Sequence, residues 1–238
     1  MNEIEVIISN SHVNNKMELT EIAMINLLQD IEGIHISHLK EFSKYLNENN
    51  CGVFLTYRQI DILKKPKFGD KLKLTTYPFN TKSASGYRHI YIKDVNNSPL
   101  VVTTAFGAFV NLETNRPVRV PKEIIKTIVD FDADPNIEVL PRKIEYNIDN
   151  EQFLEKIIIK KSHIDRYNHV NNSHYVAFAL DSYQREIKFN RIRSEYLKSF
   201  VLNDECYIYL VEENSEKTTF KLQNNQKEVC AIIEFSNI

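Results

Sequence analysis

Two stretches of the chain, residues 22–28 and 175–180, are apolar on nearly all sides and contain neither proline nor glycine. Each follows a polar side chain of the kind that caps a helix N-terminus. The residues that extend each stretch are mostly good helix formers, and a helix that is apolar on most sides has to be surrounded by other elements. We therefore predict one buried helix in each half of the chain, from the caps Thr20 and Asn171 to about Ile31 and Ile187.

The remainder of each half carries the period-two alternation and the turn residues that are typical of antiparallel strands. The predicted strands are residues 71–77, 88–93 and 100–110 in the first half, and 204–211, 218–222 and 228–235 in the second. Turn-separated strands that follow one buried helix predict an α+β fold with antiparallel sheets.

The two halves also resemble each other in sequence. Residues 11–13 match residues 162–164 at an offset of 151, and the two helix caps keep that offset. Residues 64–74 match residues 198–208 at an offset of 134. Self-similarity of this kind indicates an internal repeat. We predict an N-terminal copy at residues 1–129, a linker at 130–149 and a C-terminal copy at 150–238.

Composition excludes several classes of protein. Nucleic-acid-binding proteins usually carry an excess of basic residues. The formal net charge of this chain is −2, so no nucleic-acid partner is expected. No apolar run approaches the roughly 18 residues of a membrane span, and the acidic first residues lack the pattern of a signal peptide. The cysteines Cys51, Cys206 and Cys230 are widely spaced, which favours free thiols in a reducing compartment. We expect a cytoplasmic protein without a membrane span.

Residues 162–175 bring an acid, histidines and amides to the predicted start of the second helix. The first N–H groups of a helix are unpaired and carry partial positive charge, so they can stabilise an oxygen that becomes negative in a transition state. A carboxylate such as Asp165 and an imidazole such as His169 can orient or deprotonate water there. A loop that only caps the helix uses the same residue types, so the segment alone leaves both interpretations open.

The same segment fills a hot-dog thioesterase signature, which reads Asp, any, Asn or Tyr, any, His-Val-Asn-Asn, then Tyr. The matching residues are Asp165, Tyr167, His169, Val170, Asn171, Asn172 and Tyr175. The chain as a whole resembles the fatty acyl-ACP thioesterase family of plants and bacteria. The stretches that support this resemblance are residues 24–30, 56–58, 67–70 and 111–121.

This resemblance implies a tandem (double) hot-dog, in which two copies each wrap an antiparallel sheet around a central helix. It implies hydrolysis of the thioester between a fatty acyl chain and acyl carrier protein, with release of free fatty acid. It implies no cofactor and no metal, and its partner is acyl carrier protein. We expect a monomeric pseudo-dimer or a homodimer. The alternatives are a hot-dog thioesterase that acts on acyl-CoA and a non-catalytic acyl-thioester sensor.

The resemblance also assigns roles to residues. Asp165 is expected to orient or activate water, and His169 to share the proton transfer or to position the thioester. The expected substrate-binding residues are Asn171, Asn172 and Tyr175, with amides at the helix N-terminus stabilising the oxyanion.

Three further candidates for catalysis mark departures from the family. The family usually has Asn at the position of Tyr167, and here Asn168 follows one place later. Ser199 stands where the family has a Glu, and we expect it to share a strand face with Glu195.

The first copy repeats His-Val-Asn-Asn at residues 12–15 but well before its helix cap, so one active site per chain is expected.

Two groups of basic residues outside this segment allow more than one interpretation. His35 and His38 are predicted to be exposed histidines at the end of the first helix rather than metal ligands. The lysines Lys64, Lys65, Lys67, Lys160 and Lys161 are either solvated charges or a rim that docks the acidic carrier protein.

Overall fold

Strands are more common than helices in this fold. The computed structural model describes residues 1–147 and 151–238. The helices are α1 (Glu21–His38), α2 (Lys40–Glu48), α3 (Lys122–Ile125) and α4 (Asn172–Asp181). The strands are β1 (Asn2–Ile7), β2 (Cys51–Ile62), β3 (Lys71–Phe79), β4 (Ser85–Lys93), β5 (Pro99–Asn111), β6 (Gln152–Ile158), β7 (Arg191–Tyr196), β8 (Glu205–Glu213), β9 (Lys217–Gln223) and β10 (Val229–Ser236).

The chain divides into two units. Unit 1 consists of Met1–Thr56 and Ile62–Val139, and unit 2 consists of Tyr57–Asp61 and Leu140–Ile238. In unit 1 the strand order is β1-β3-β4-β5-β2, and in unit 2 the 57–61 segment of β2 is followed by β7-β10-β9-β8-β6. Eight of these pairings, all except that of β5 with β2, have a defined register and are antiparallel, as the α+β prediction requires.

The predicted linker follows this division only in part. Its first ten residues, 130–139, belong to unit 1, where Asp130 accepts hydrogen bonds from the backbone and the hydroxyl of Thr81. Residues 140–147 belong to unit 2. The predicted end of the linker at 148–149 and the predicted start of the second copy at residue 150 lie outside the described residues.

Helix α1 begins as predicted and ends later. The Thr20 side chain accepts a hydrogen bond from the Ala23 amide, and buried residues occur on successive turns as far as His35. The expectation that His35 is an exposed helix-end residue is wrong. His35 is 5% exposed, and Nη1 of Arg88 lies 2.6 Å from its Nδ1. Burial, followed by the Arg88 charge, lowers the pKa of His35 to about 4, whereas His38 is exposed.

Helix α4 is shorter than predicted. Asn171 caps it by accepting from the Ser173 amide, but the helix ends at Asp181 rather than near Ile187. Beyond this point, the Tyr183 hydroxyl and Arg185 Nη2 both donate to the carboxylate of Glu213 on β8. These side-chain bonds hold the chain to the strand and away from a continued helical path.

The hydrogen bonds of the two units repeat at the offsets found in the sequence. The loops before the two helices form equivalent backbone hydrogen bonds. Thr20 N donates to His12 O (2.9 Å) in unit 1, and Asn171 N donates to His163 O (2.9 Å) in unit 2. Likewise, Leu19 N donates to Pro66 O (2.8 Å), and Val170 N donates to Phe200 O (2.9 Å). Met17 and Asn168, also 151 positions apart, both have φ of 60°. The similarity of the halves is therefore a similarity of backbone structure.

A buried ion pair joins the 57–61 segment to the rest of unit 2. Arg191 donates from Nε to Oδ1 of Asp61 (2.6 Å) and from Nη2 to Oδ2 (2.9 Å). Gln59 Nε2 donates to Oδ2 of the same carboxylate (3.1 Å). A buried charge that loses its partner carries an uncompensated desolvation cost, so this pair holds the segment in place.

Asp61→Ala is expected to lower the free energy of unfolding by about 3–5 kcal/mol, because it removes a buried carboxylate that accepts hydrogen bonds from Arg191 and Gln59. Denaturant titration of the purified protein measures this loss. The control is Lys143→Ala, which removes an exposed ion pair with Glu145 and should leave the free energy of unfolding essentially unchanged. Equal small losses in both variants would contradict the structural importance of the Asp61 pair.

Candidate active site

The loop before α4 closes on itself immediately before the helix begins. Asp165 N donates to His169 O (2.8 Å), and Asn168 N donates to Asp165 O (3.1 Å). Ile164 and Val170 form an isolated antiparallel bridge at its base. The loop thus brings the Asp165 and His169 backbones side by side at the positive end of α4.

One oxygen of the Asp165 carboxylate holds this loop together. Its Oδ1 accepts from the amides of Tyr167 (2.8 Å) and His169 (3.3 Å). In unit 1 the equivalent residue is Asn14, whose Oδ1 accepts from Lys16 N (2.9 Å) and Glu18 N (3.1 Å). Holding the loop closed therefore requires an acceptor oxygen but no negative charge. No described residue forms a hydrogen bond with the second oxygen, Oδ2, of Asp165.

His169 is half-buried at the last turn of the loop. The equivalent position in unit 1 is Glu18, whose carboxylate lies 3.8 Å from Nζ of Lys67. In unit 2 the position equivalent to Lys67 is Val201. The two positions that form an ion pair in unit 1 are therefore occupied by His169 and Val201 in unit 2.

Asn171 and Asn172 lie at the N-terminus of α4, where the sequence predicts the helix cap. The Asn171 side chain accepts from the amide (3.0 Å) and the hydroxyl (3.1 Å) of Ser173. Asn172 is the first helical residue. Its equivalent in unit 1, Glu21, forms a 2.6 Å ion pair with Lys65. Both residues are half-buried, so Asn171 caps the helix while Asn172 takes a position that a charged pair fills in unit 1.

Tyr175 lies in the core of unit 2. It is 3% exposed, its hydroxyl accepts from Phe200 N (3.1 Å), and its ring contacts the rings of Tyr196 and Phe200. Burial raises the pKa of its hydroxyl far above the usual range. Tyr175 therefore lies in the first turns of α4, where its side chain packs against the 196–200 segment.

Ser199 lies outside any strand. The expectation that it shares a strand face with Glu195 is wrong, because β7 ends at Tyr196. The amides of Leu197 (2.9 Å) and Lys198 (3.1 Å) both donate to Cys230 O, which ends the regular ladder. Ser199 is exposed, in the loop that Phe200 ties to Val170 and Tyr175.

Glu195 does not substitute for the missing family carboxylate at Ser199. Its Oε2 accepts from Ile144 N (2.9 Å), so the side chain holds the chain segment that precedes β6. This leaves Asp165 as the acid in the loop before α4.

Tyr167 and Asn168 form the tip of the loop. Asn168 is exposed, and its positive φ is a conformation that asparagine tolerates better than most residues. The Tyr167 hydroxyl accepts from Nη2 of Arg166 (2.8 Å), whose guanidinium also lies over the Tyr167 ring. Asn168 therefore sets the turn, and Tyr167 presents its ring and hydroxyl beside the loop.

The sequence analysis assigns no role to two histidines at α4, His163 and His174. The His163 and His174 rings lie 4.9 Å apart and both contact Phe178. Burial lowers the pKa of each imidazole, which favours the neutral forms near pH 7. Both occur in the signature segment, but their contact depends on how the loop folds back onto the helix.

The described residues contain no group of three His, Cys, Asp or Glu side chains that could hold a metal. Within residues 1–147 and 151–238, no helix combines the length and apolar character that crossing a membrane requires. The three cysteines are buried and unpaired, and burial raises the pKa of Cys230 to about 12.

Comparison with known proteins agrees with the signature. Residues 1–128 match the family model of the acyl-ACP thioesterase N-terminal domain. The chain belongs to the acyl-ACP thioesterase family. It is 25% identical over 137 residues to the chloroplastic acyl-[acyl-carrier-protein] hydrolase FATB3 of Cuphea viscosissima. That match covers 56% of this chain but 33% of the plant protein, so the chain spans about a third of that relative.

Solved structures of acyl-ACP thioesterases share this fold over nearly all of the chain. An acyl-ACP thioesterase from Bacteroides thetaiotaomicron superimposes with a TM-score of 0.85 at 20% identity and covers 99% of this chain and 96% of its own. A 12:0-ACP thioesterase from Umbellularia californica superimposes with a TM-score of 0.79 at 15% identity, with 99% and 96% covered. At these identities the likeness establishes the fold alone.

Proposed function

We propose that this protein hydrolyses fatty acyl-ACP thioesters at the loop before α4. Family membership supports the reaction class. The observation that carries the location is the difference between two loops with the same backbone bonds. Unit 2 has Asp165 and His169 where unit 1 has Asn14 and Glu18, so only the loop of unit 2 combines a carboxylate and an imidazole at these positions, and such a pair can orient and deprotonate water.

In the proposed reaction, Asp165 and His169 act from the loop before α4. Oδ2 of Asp165 orients a water and accepts its proton as the water oxygen attacks the thioester carbonyl. His169 shares this proton and delivers it to the departing thiolate. The acyl–oxygen bond forms, the acyl–sulfur bond breaks, and the products are a fatty acid and the thiol of the carrier. The N-terminus of α4 stabilises the oxyanion by its partial positive charge.

The proposal also covers the fold of each unit, the oligomeric state and the location in the cell. Each unit is a hot-dog that wraps its sheet around α1 or α4, and the repeated hydrogen bonds support this tandem arrangement. We expect the chain to be either a monomeric pseudo-dimer or a homodimer. We place it in the cytoplasm, where the three buried thiols stay reduced.

The test is incubation of the purified protein with a panel of acyl-ACPs and the matching acyl-CoAs, with the released fatty acid measured over many turnovers. We expect release from acyl-ACP, with a higher kcat/KM than for the same acyl chain on CoA. A higher kcat/KM for acyl-CoA would identify an acyl-CoA thioesterase. Stable retention of the intact thioester would identify a non-catalytic sensor.

Ser199→Glu is expected to raise kcat, because it restores a carboxylate at the position where the family carries Glu. In unit 1 the equivalent Lys65 reaches Glu21, the counterpart of Asn172, so a longer side chain at position 199 has a path to the helix start. Steady-state hydrolysis of one acyl-ACP measures the change. Ser199→Gln, which adds the same length without charge, is the control; an unchanged or lower kcat in the Glu variant would contradict the expectation.

A further inference from the structure

We infer that an acidic carrier protein docks on a surface of unit 2 formed by Lys160, Lys161 and Arg166, together with the exposed apolar residues around Ser199. We call these three residues the cationic triad. This inference rests on the proposed function, since it names the surface that receives the carrier of the thioester.

The cationic triad lies on the segment that contains the candidate site. All three side chains are exposed, and in the described structure none of them forms an ion pair with a carboxylate. Lys160 and Lys161 begin the turn that leads to His163, and Arg166 directly follows Asp165. The neighbouring cations Lys156 and Lys198 are instead paired with Glu205 and Glu228. Unlike these two neighbours, the cations of the loop therefore keep their positive charge available to a partner.

Unit 1 shows that the backbone does not need this charge. The positions equivalent to the cationic triad are Ser9, Asn10 and Asn15, on a loop with the same hydrogen bonds. Residues 160–172 carry three cations and one carboxylate, whereas residues 9–21 carry one cation and two carboxylates. The positive charge is thus particular to the unit with the candidate site, where it attracts carboxylates of a partner.

The docking rim expected at Lys64, Lys65 and Lys67 has a weaker physical basis. Lys65 pairs with Glu21 at 2.6 Å, and Lys67 lies 3.8 Å from Glu18. Two of these three charges are compensated within unit 1, so they attract an acidic partner less than the unpaired cationic triad does.

Exposed apolar side chains adjoin the cationic triad. Four of them, Ile158, Leu197, Val201 and Leu202, are between 40% and 56% exposed. Backbone bonds from Ile159 N to Asp204 O (2.9 Å) and from Val170 N to Phe200 O (2.9 Å) hold their segments beside the loop. Apolar residues rimmed by charge are typical of a protein–protein contact. Acyl carrier protein is acidic and delivers the thioester, so it is the partner that this surface fits.

The test replaces the cationic triad by the residues of unit 1, as Lys160→Ser, Lys161→Asn and Arg166→Asn together. We expect kcat/KM for acyl-ACP to fall by about tenfold or more at low salt, because electrostatic attraction raises association rates by that order. The difference should vanish at about 1 M salt, where the Debye length is about 3 Å. The kcat/KM for the same acyl group on pantetheine, which has no carrier protein, should not change.

The control removes three exposed cations from unit 1, as Lys82→Ser, Lys122→Ser and Lys126→Ser together, and should behave as wild type. If wild type hydrolyses both substrates and the two triple variants give the same kcat/KM for acyl-ACP, the docking surface is refuted while the proposed function stands. If wild type hydrolyses neither substrate, the proposed function itself fails. Loss of binding to phosphatidylglycerol vesicles with unchanged acyl-ACP kinetics would refute the carrier and assign the surface to a lipid membrane.

Discussion

Asp165→Asn should lower kcat for acyl-ACP by about a hundredfold or more, within the range of 10²–10⁴ for loss of a general base. The variant should fold as wild type does. Asn14 already makes the same two backbone bonds in unit 1, so an amide oxygen can replace Oδ1 of Asp165 in holding the loop. The substitution therefore removes the charge and the basic Oδ2 alone. Steady-state hydrolysis and a thermal unfolding curve measure the two effects separately.

The matched control is Asn14→Asp, which makes the opposite exchange in unit 1. It should leave kcat within the error of the wild-type measurement, because no imidazole equivalent to His169 accompanies that position. A loss in Asp165→Asn of only a few-fold would show that the carboxylate serves the loop and not the chemistry.

His169→Ala should also lower kcat by at least about a hundredfold. The imidazole is the second proton-transferring group in the loop, and the backbone of His169, which bonds to Asp165, is unaffected by the loss of the side chain. Steady-state values of kcat and KM with one acyl-ACP would separate the loss of a catalytic group, which lowers kcat, from a loss of substrate binding, which raises KM.

His12→Ala tests whether the first His-Val-Asn-Asn sequence has a catalytic role. His12 is the structural equivalent of His163, not of His169, and its Nδ1 accepts from the Ser9 amide (3.2 Å) as that of His163 accepts from the Lys160 amide (3.2 Å). We expect wild-type kcat. Equal losses in His12→Ala and His169→Ala would contradict the single site in unit 2.

The features that sequence predicts well are those set by neighbouring residues. The caps Thr20 and Asn171 act within one turn of their helices, and the alternation of residues 71–77 reflects one strand with two different faces. The repeat offsets also survive in the structure because each loop closes on bonds within its own unit.

The features that sequence misses depend on partners far along the chain. Strand β2 ends in a polar segment that is buried because Asp61 meets Arg191, 130 residues away. His35 is buried against Arg88, which lies on β4. Neither burial can be inferred from local alternation, since each polar group is stabilised by a side chain from another element.

The candidate site shows the same contrast. The signature places Asp165 and His169 in one loop, and local backbone bonds bring them together. The position of Ser199 depends instead on where β7 leaves β10, and the shared acceptor Cys230 O decides this. Sequence spacing alone therefore extended the strand too far.

A single-turnover experiment tests the central claim most directly. The double variant Asp165→Asn/His169→Glu gives the unit 2 loop the residues that unit 1 carries on the same backbone. With enzyme in excess over one acyl-ACP, and fatty acid measured after rapid quenching, we expect the rate constant to fall by at least about a hundredfold while the unfolding temperature stays near that of wild type. A rate constant within a few-fold of wild type would show that hydrolysis takes place elsewhere in the protein.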